Sequence, residues 1–423
     1  MFPNQGILHV KKRGVAEWLI LFVFVMPFLL PALLQLFQLP GVVKYTVDVA
    51  WVGLLFAFIF NKQLIVNRKL LPMVVFMCTI AIYTFIVYMF QFQSPFYYLW
   101  GVRNNFRFYI ATFAAAILFD REDIQTLFRF IEFIFWVNAL VSLFQFFVMG
   151  YEQDYLGGVF GVERGANAST LLLFCIVVSK AVINYMNMDE KLLSCLAKCV
   201  TALLVAVLAE LKIFFVFCCV IVLLSAMITR FSWKKVVILL VVLGSVPLVG
   251  LLLPVLFGES SNVTVSRIIE LITAKNYATA EDLGRFTAIP TIRRVFLTSF
   301  PEALFGLGLG NCDTAAFSLC NTPFFQNYGD IHYSWFSSAF LFLETGYVGL
   351  MLTLSFFVMT MIISVRVMKK KTGEYKLYGQ IGMVMSVICI IMIFYNASLR
   401  SEIGYVAYLC LALPWIACKQ NAQ

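Results

Sequence analysis

The sequence predicts an all-α, polytopic membrane protein that forms a single integral-membrane domain over residues 1–423. Two observations support this fold class. Hydrophobic residues make up 62% of the chain and charged residues only 13%, whereas a soluble domain has about 45–50% apolar and about 25% charged residues. Most of the apolar residues also occur in runs of about 17–26, the length that a helix needs to cross about 30 Å of hydrocarbon.

The apolar runs predict about 12 transmembrane helices. The first run is too long for the apolar part of a signal peptide and lacks a small-residue cleavage site, so we interpret it as a span. The fourth is short. The tenth is interrupted at Glu344-Thr345-Gly346, so that its first part could be a half helix. In chain order the predicted spans are 17–39, 44–60, 70–91, 106–119, 124–149, 166–186, 192–209, 211–229, 236–257, 335–365, 377–395 and 402–418.

The distribution of basic residues predicts the topology, because cytoplasmic loops carry an excess of lysine and arginine. With the N-terminus in the cytoplasm, the basic clusters fall in alternate loops and the C-terminus is also cytoplasmic. The longest polar stretch, 258–333, then forms one large extracytoplasmic loop. The net charge of +9 therefore reflects topology and not nucleic-acid binding. The clusters are Lys11-Lys12-Arg13, Lys62/Arg68/Lys69, Arg121, Lys191, Arg230/Lys234/Lys235 and Arg366/Lys369/Lys370/Lys371/Lys376.

The predicted outer loops carry mostly arginine, whereas the inner loops carry mostly lysine. Topology requires no positive charge outside, and a guanidinium binds phosphate or carboxylate through two parallel hydrogen bonds. We therefore expect an anionic ligand at the outer face. The alternative for each arginine is pairing with a loop carboxylate or a lipid phosphate. The outer basic residues are Arg103, Arg107, Arg164, Arg267, Arg285, Arg293, Arg294 and Arg400, with Lys44, Lys212 and Lys275.

His332 is the candidate for proton transfer. An imidazole exchanges a proton near neutral pH, and His332 lies at the end of the large loop, close to Asp330. The alternative is an interfacial histidine that is hydrogen-bonded to the backbone. Glu344 follows about three helical turns later. A carboxylate at that depth is costly and is a functional candidate, although stabilisation of a break at Gly346 would also explain it.

Basic residues also flank three predicted spans. Residues two apart on a helix do not face each other, so Glu210 and Lys212, between the seventh and eighth spans, are expected to pair only weakly. Lys212 could then face a substrate phosphate or extend to the interface. Arg164 precedes the sixth span and Arg103 the fourth, both on the predicted outer side.

The segment Gly306-x-Gly308-x-Gly310 is not a nucleotide-binding loop, because no Lys-Ser/Thr follows it and no parallel strand precedes it. We expect a tight bend that folds the large loop onto the bundle.

Most of the 11 cysteines lie in predicted spans, where they act as small apolar residues. No Cys/His cluster indicates a metal site. Cys312 and Cys320 both lie in the large loop, where they could form a disulfide or remain free.

The order of these motifs resembles the signature region of the O-antigen polymerase and O-antigen ligase family of bacterial membrane proteins. The specific resemblance covers about residues 200–365, and elsewhere it extends only to span count and loop placement. The motifs that carry it are Ala209-Glu210-Leu211-Lys212, Gly284-Arg285, Pro301, Gly306-x-Gly308-x-Gly310, His332 and Glu344-Thr345-Gly346-x-x-Gly349-Leu350.

The resemblance implies an inverting, metal-independent glycosyltransferase related to the GT-C group, located in the bacterial inner membrane with its large loop in the periplasm. The substrate would be a glycan linked to undecaprenyl pyrophosphate. No nucleotide-sugar donor and no cofactor would be needed, and a flippase and a chain-length regulator would be partners. The product would be O antigen, capsule or exopolysaccharide.

The resemblance also implies roles for single residues. His332 would be the base that activates an acceptor hydroxyl. Arg285 and Lys212 would bind the pyrophosphate, with help from Arg164 or from Arg293/Arg294. The full set of candidate substrate-binding residues is Arg103, Arg164, Lys212, Arg285, Arg293, Arg294 and Glu344.

Several functions compete with polymerisation. A ligase, which transfers finished glycan to lipid A-core, is disfavoured because Tyr333 and Lys212 stand where ligases often show asparagine and arginine. A flippase or transporter for lipid-linked oligosaccharide would have short outer loops and two related halves, unlike this chain. A structural membrane scaffold would not explain why the outer loops are rich in arginine.

Overall fold

The computed structural model describes residues 13–35, 37–60, 68–229, 244, 283–285, 287–314 and 318–419. Regular structure within these ranges is helical, and no β-strand occurs in them. Short 3-10 helices join several of the α-helices. The α-helices are α1 Val15–Gln35, α2 Thr46–Phe60, α3 Leu71–Phe90, α4 Pro95–Leu118, α5 Arg121–Phe147, α6 Asn167–Asn187, α7 Leu192–Leu208, α8 Lys212–Ile228, α9 Ala288–Val295, α10 Phe300–Phe305, α11 Pro323–Tyr328, α12 Ser337–Lys370, α13 Gly373–Tyr395 and α14 Gly404–Lys419.

The apolar helices confirm a membrane protein of the all-α class. Within the described residues, seven helical stretches are long and apolar enough to cross a membrane, and they include α1, α5, α6, α12 and α13. Three apolar helices are shorter, namely α7, α8 and α14. The ninth predicted span, 236–257, lies outside the described residues except for position 244. The count of 12 spans and the large loop therefore stay predictions.

The predicted bounds of the fourth span were wrong. The sequence predicted a short span over 106–119, but α4 begins at Pro95. Ser94 caps the first turn, because its side chain accepts a hydrogen bond from the backbone N–H of Phe96 at 3.3 Å. The first half of α4 contains Arg103, Asn104 and Arg107, whose polar side chains concealed the helix from a hydropathy argument. These side chains have partners elsewhere in the fold, as described below.

The interruption predicted in the tenth span is confirmed. Gly346 in α12 has φ 61° and ψ −165°, which no α-helical residue adopts. These dihedrals lie in a region that is essentially restricted to glycine. The first two turns of α12 and the rest of the helix are therefore two segments joined at Gly346, as a half helix requires.

The enclosed part of the bundle is formed by α4, α6, α12, α13 and α14, which pack against one another. Small side chains on α4, including Ala111, Ala114 and Ala115, are fully buried and allow close approach of neighbouring helices.

The two ends of the bundle differ in composition. At one end, which we call the His332 end, hydrogen bonds connect the loops: Asn167 donates to the carbonyl of Ala209 at 3.2 Å, and Ser337 donates to that of Asn396 at 2.9 Å. At the opposite end, Arg13 pairs with Asp123 at 3.0 Å, and Arg121 pairs with Glu374. Among the described residues, the basic residues Arg13 and Arg121 thus lie at one end and most of the predicted outer arginines at the other.

Candidate functional site

Two glycines join the large-loop region to α12. Gly306, with φ +76°, ends α10, and the position of its missing Cβ lies 2.4 Å from the carbonyl carbon of Glu344. The corresponding position at Gly346 lies 2.4 Å from the carbonyl carbon of Leu304. Backbone hydrogen bonds from Leu307 and Gly308 to α12, each 2.9 Å long, close the contact. We call this contact the glycine clamp, and it is the tight bend that the glycine pattern predicted.

Glu344 lies beneath the glycine clamp and is fully buried. Its Oε1 accepts a hydrogen bond from the backbone N–H of Cys312 at 3.2 Å. The carbonyl of Cys312 accepts a hydrogen bond from the hydroxyl of Tyr333. Glu344 thus holds the loop at Cys312, whereas the alternative to substrate contact considered from the sequence was stabilisation of a break at Gly346.

Cys312 and Cys320 are both free thiols, so the structure does not contain the disulfide considered from their spacing. Burial raises the pKa of the Cys312 thiol well above its ordinary value, which disfavours the reactive thiolate.

His332 adopts a left-handed backbone conformation, with φ 58° and ψ 26°. Its imidazole packs on the indole of Trp335, with ring centroids 3.9 Å apart. The guanidinium of Arg164 lies over the same indole, 4.8 Å from the ring centroid. The predicted base and one predicted anion ligand therefore share a single aromatic neighbour.

Arg285 lies over a second aromatic ring at the same end. Its guanidinium is 4.3 Å from the ring centroid of Tyr395, at the end of α13. Tyr395 also lies within electrostatic reach of Asp154. Neither Arg285 nor Arg164 forms an ion pair with another residue that the structure describes, and both side chains are exposed. Among the described residues, no carboxylate occupies their hydrogen-bond donors.

Lys212, at the start of α8, is connected to this region because its neighbour Glu210 contacts the loop that precedes α6. Glu210 pairs with Lys212 at 3.6 Å and accepts a hydrogen bond from the amide of Gln153 at 3.1 Å. The expectation that Glu210 and Lys212 pair only weakly assumed a helix, and it was wrong in its geometry. Glu210 has φ +49°, so the chain turns between α7 and α8 and brings the two side chains together.

Asn167 completes the connection between the loop and the helix ends. Its amide donates to the carboxylate of Asp154 at 3.2 Å and to the carbonyl of Ala209 at 3.2 Å. The structure thus brings His332, Arg164, Arg285 and Lys212 to one end of the bundle, around a single loop. We call these four residues the His332 cluster.

Backbone strain concentrates at the same place. Among the described residues, five non-glycine residues have positive φ. His332 is one of them, Glu210 pairs with Lys212 of the His332 cluster, and Gln153 donates to Glu210. Such conformations cost about 1–3 kcal/mol each and tend to occur at functional sites. Backbone strain points to this end of the bundle independently of charge, and it could not be predicted from the sequence.

The remaining predicted ligands lie apart from the His332 cluster. Arg103 forms a bidentate ion pair with Asp48, at 2.9 and 2.8 Å. Arg293 donates to the carbonyls of Leu297 and, at 3.1 Å, Thr298, at the end of α9. Arg294 is exposed on α9.

A buried charged network lies beneath the loop. Asp313 accepts a hydrogen bond from Asn104 at 2.6 Å and pairs with Arg400 at 3.8 Å. Burial lowers the pKa of the Arg400 guanidinium, while Asp313 and Glu344 oppose that shift. Arg107, from α4, pairs with Glu402 at 2.6 Å and donates to the carbonyl of Arg400. Arg107 and Arg400 were among the predicted outer arginines, and both pair with carboxylates, whereas Asp313 and Glu402 were not predicted as their partners.

Comparison with known proteins assigns no identity. No protein-family model matches the chain, and no characterised protein matches it at a significant level. Within the described residues, no group of three or more histidine, cysteine, aspartate or glutamate side chains is arranged to hold a metal ion.

Proposed function

We propose that the protein polymerises oligosaccharide repeat units linked to undecaprenyl pyrophosphate into a surface polysaccharide, at the outer face of the bacterial inner membrane. The observation that carries the proposal is the His332 cluster itself. A residue able to accept a proton shares the indole of Trp335 with Arg164 and lies at the same end of the bundle as Arg285, and neither arginine has a carboxylate partner among the described residues. A glycosyl transfer from a lipid diphosphate needs these two functions side by side.

The proposed reaction balances on these groups. The imidazole of His332 accepts the proton of an acceptor hydroxyl while that oxygen forms a bond to the anomeric carbon of the donor. The bond from the anomeric carbon to the phosphate oxygen breaks, and its electron pair remains on the undecaprenyl pyrophosphate. Arg164, Arg285 and Lys212 stabilise the negative charge that grows on this leaving group. The product has inverted anomeric configuration.

The fold is suited to a lipid-linked substrate. The His332 cluster lies at one end of a bundle of apolar helices, so a substrate tail can remain in the hydrocarbon while its pyrophosphate reaches the helix ends. Guanidinium groups packed on aromatic rings keep their planar donor edges available, which suits bidentate recognition of a phosphate.

The test is the glycan ladder of a strain that lacks the gene. We expect His332→Ala and Arg285→Ala to restore no polymer, because loss of a general base alone costs about 10²–10⁴-fold in rate. Arg129→Ala, an exposed arginine at the opposite end of the bundle, is the matched control and should restore the wild-type ladder. Immunoblotting of membranes should show equal amounts of all three variants. A normal ladder from His332→Ala would remove this residue from the mechanism.

The accumulated intermediate separates the candidate functions. A single repeat unit attached to lipid A-core indicates loss of a polymerase. Full-length polymer that remains on the undecaprenyl carrier indicates loss of a ligase. Single repeats trapped at the cytoplasmic face indicate loss of a flippase and would contradict a glycosyltransferase function.

A further inference from the structure

A recess near the His332 cluster is formed by residues outside that cluster. It is an open cleft of about 640 Å³ between the start of α4, the end of α9 and α11. Ligand-binding clefts have volumes of about 300–1,000 Å³. The residues of the cleft that carry the argument are Gln93, Tyr97, Phe296, Phe324, Asn327 and Tyr328.

The lining of the cleft is aromatic and uncharged. Phe296 and Tyr328 pack edge to face with ring centroids 5.0 Å apart, and Phe324 lies 5.3 Å from Phe296. None of the described residues that line the cleft is charged, in contrast to the cationic His332 cluster. A phosphate would therefore gain no ion pair in the cleft.

The cleft also offers polar groups that the protein does not use. Gln93 and Asn327 are exposed, and their side-chain amides make no hydrogen bond with other described residues. An amide carries two donors and one acceptor oxygen, which matches the paired hydroxyl groups of a sugar. The C–H faces of a sugar ring pack on aromatic rings, so the combination of rings and amides fits a neutral saccharide.

Two short elements connect the cleft to the His332 cluster. The first is α9, which runs from the neighbourhood of Arg285 to Phe296 and is about 12 Å long at 1.5 Å per residue. The second is the segment from Tyr328 to His332, which includes the 3-10 helix Gly329–Ile331. The cleft therefore lies within the reach of a short oligosaccharide from the imidazole.

We infer that this cleft binds the neutral sugar residues of the lipid-linked oligosaccharide while its reacting end lies at the His332 cluster. The inference rests on the proposed function. It divides recognition of the substrate between two surfaces, because the arginines hold the pyrophosphate and the cleft holds the sugars.

The test measures binding and not turnover. The probe is a phosphate-free oligosaccharide fragment of the host's own surface polysaccharide, added to the purified full-length protein in lipid nanodiscs. Saturation-transfer NMR and calorimetric titration report binding. Wild type and His332→Ala should bind the fragment equally, since His332 does not line the cleft. Gln93→Ala and Asn327→Ala should each bind it about five- to tenfold more weakly, as expected for loss of a hydrogen-bonding side chain.

Gln326→Ala is the matched control, because Gln326 is exposed on α11 beside Asn327 but does not line the cleft. It should bind the fragment as wild type does. Absence of binding by the wild type would overturn the inference, and so would equal affinities of wild type, Gln93→Ala and Asn327→Ala. The inference would also be overturned if Gln326→Ala lost affinity to the same extent. None of these results affects the ladder experiment, so the two proposals can fail separately.

Discussion

The glycine clamp makes a quantitative prediction about the Gly306→Ala substitution. Gly306 has φ +76° and ψ −172°, and such a conformation costs a residue with a Cβ about 1–3 kcal/mol. The new Cβ would also lie 2.4 Å from the carbonyl carbon of Glu344 and 2.5 Å from its oxygen. Both are backbone atoms of α12 and cannot move independently of the helix. Overpacking of this kind costs about 1–3 kcal/mol more, so we expect a total loss of about 2–6 kcal/mol.

Gly150→Ala is the matched control. Gly150 also has positive φ, at +72°, but no atom lies within 4 Å of the position of its missing Cβ. Only the cost of a left-handed conformation remains there, about 1–2 kcal/mol. Both variants share the cost of a positive φ, so the excess loss at Gly306→Ala reports the close contact between α10 and α12 together with any further strain from the ψ of −172° at Gly306.

Thermal unfolding in detergent, followed by tryptophan fluorescence, measures both variants. At about 2 °C per kcal/mol for a large domain, we expect the midpoint to fall by about 4–12 °C for Gly306→Ala and by about 2–4 °C for Gly150→Ala. Gly346→Ala should behave like Gly306→Ala. The double variant should lose less than the sum of the two, because both substitutions break the same contact. If the unfolding temperature of Gly306→Ala were no lower than that of Gly150→Ala, the close contact in the glycine clamp would not contribute to stability and the reasoning would be refuted.

Two further predictions concern topology and the arginines outside the His332 cluster. Arg294→Cys should react with a membrane-impermeant maleimide in intact cells and Lys370→Cys only after lysis, because they lie at opposite ends of the bundle; the reverse pattern would invert the proposed topology. Arg103→Ala should reduce the free energy of unfolding by about 1 kcal/mol, as expected for a partly exposed ion pair, and leave the ladder intact, because Arg103 is occupied by Asp48. Loss of the ladder at wild-type protein levels would indicate that Arg103 binds substrate despite its ion pair with Asp48.

Much of the fold could be predicted because hydropathy reports directly on it. A run such as α5 or α13 has no stable environment other than lipid or a protein interior, so its composition determines its place. Composition was a poor guide to α4, whose first half is polar. The partner of Arg103 is Asp48, 55 positions earlier in the sequence, and such pairing depends on the fold and has no local signal.

The site could be predicted in part, because residue type and loop position can be taken from the sequence whereas the contacts of a side chain cannot. His332, Arg164, Arg285 and Lys212 were proposed from residue type and loop position, and the structure places them at one end of the bundle. Charge alone could not separate them from Arg293, which instead donates to carbonyls at the end of its own helix. An arginine that binds a ligand and one that caps a helix differ only in their surroundings.

The conformation of His332 depends on the residues on either side of it. The carbonyl of Ile331 accepts a long hydrogen bond, 3.4 Å, from the backbone N–H of Leu283. On the other side, Tyr333 is fully buried and its hydroxyl donates to the carbonyl of Cys312. A left-handed histidine persists only where its neighbours hold it, and these two contacts supply that restraint.

The same restraint links the glycine motif to the proposed chemistry. Glu344 holds Cys312, which in turn holds Tyr333, so the glycine clamp and the histidine belong to one continuous scaffold. The glycines need not touch a substrate to matter for activity, because a catalytic base must be held in its productive geometry by the groups around it. On this argument the clamp variants should lose polymer in proportion to the displacement of the 331–333 segment, even at temperatures where the bundle remains folded.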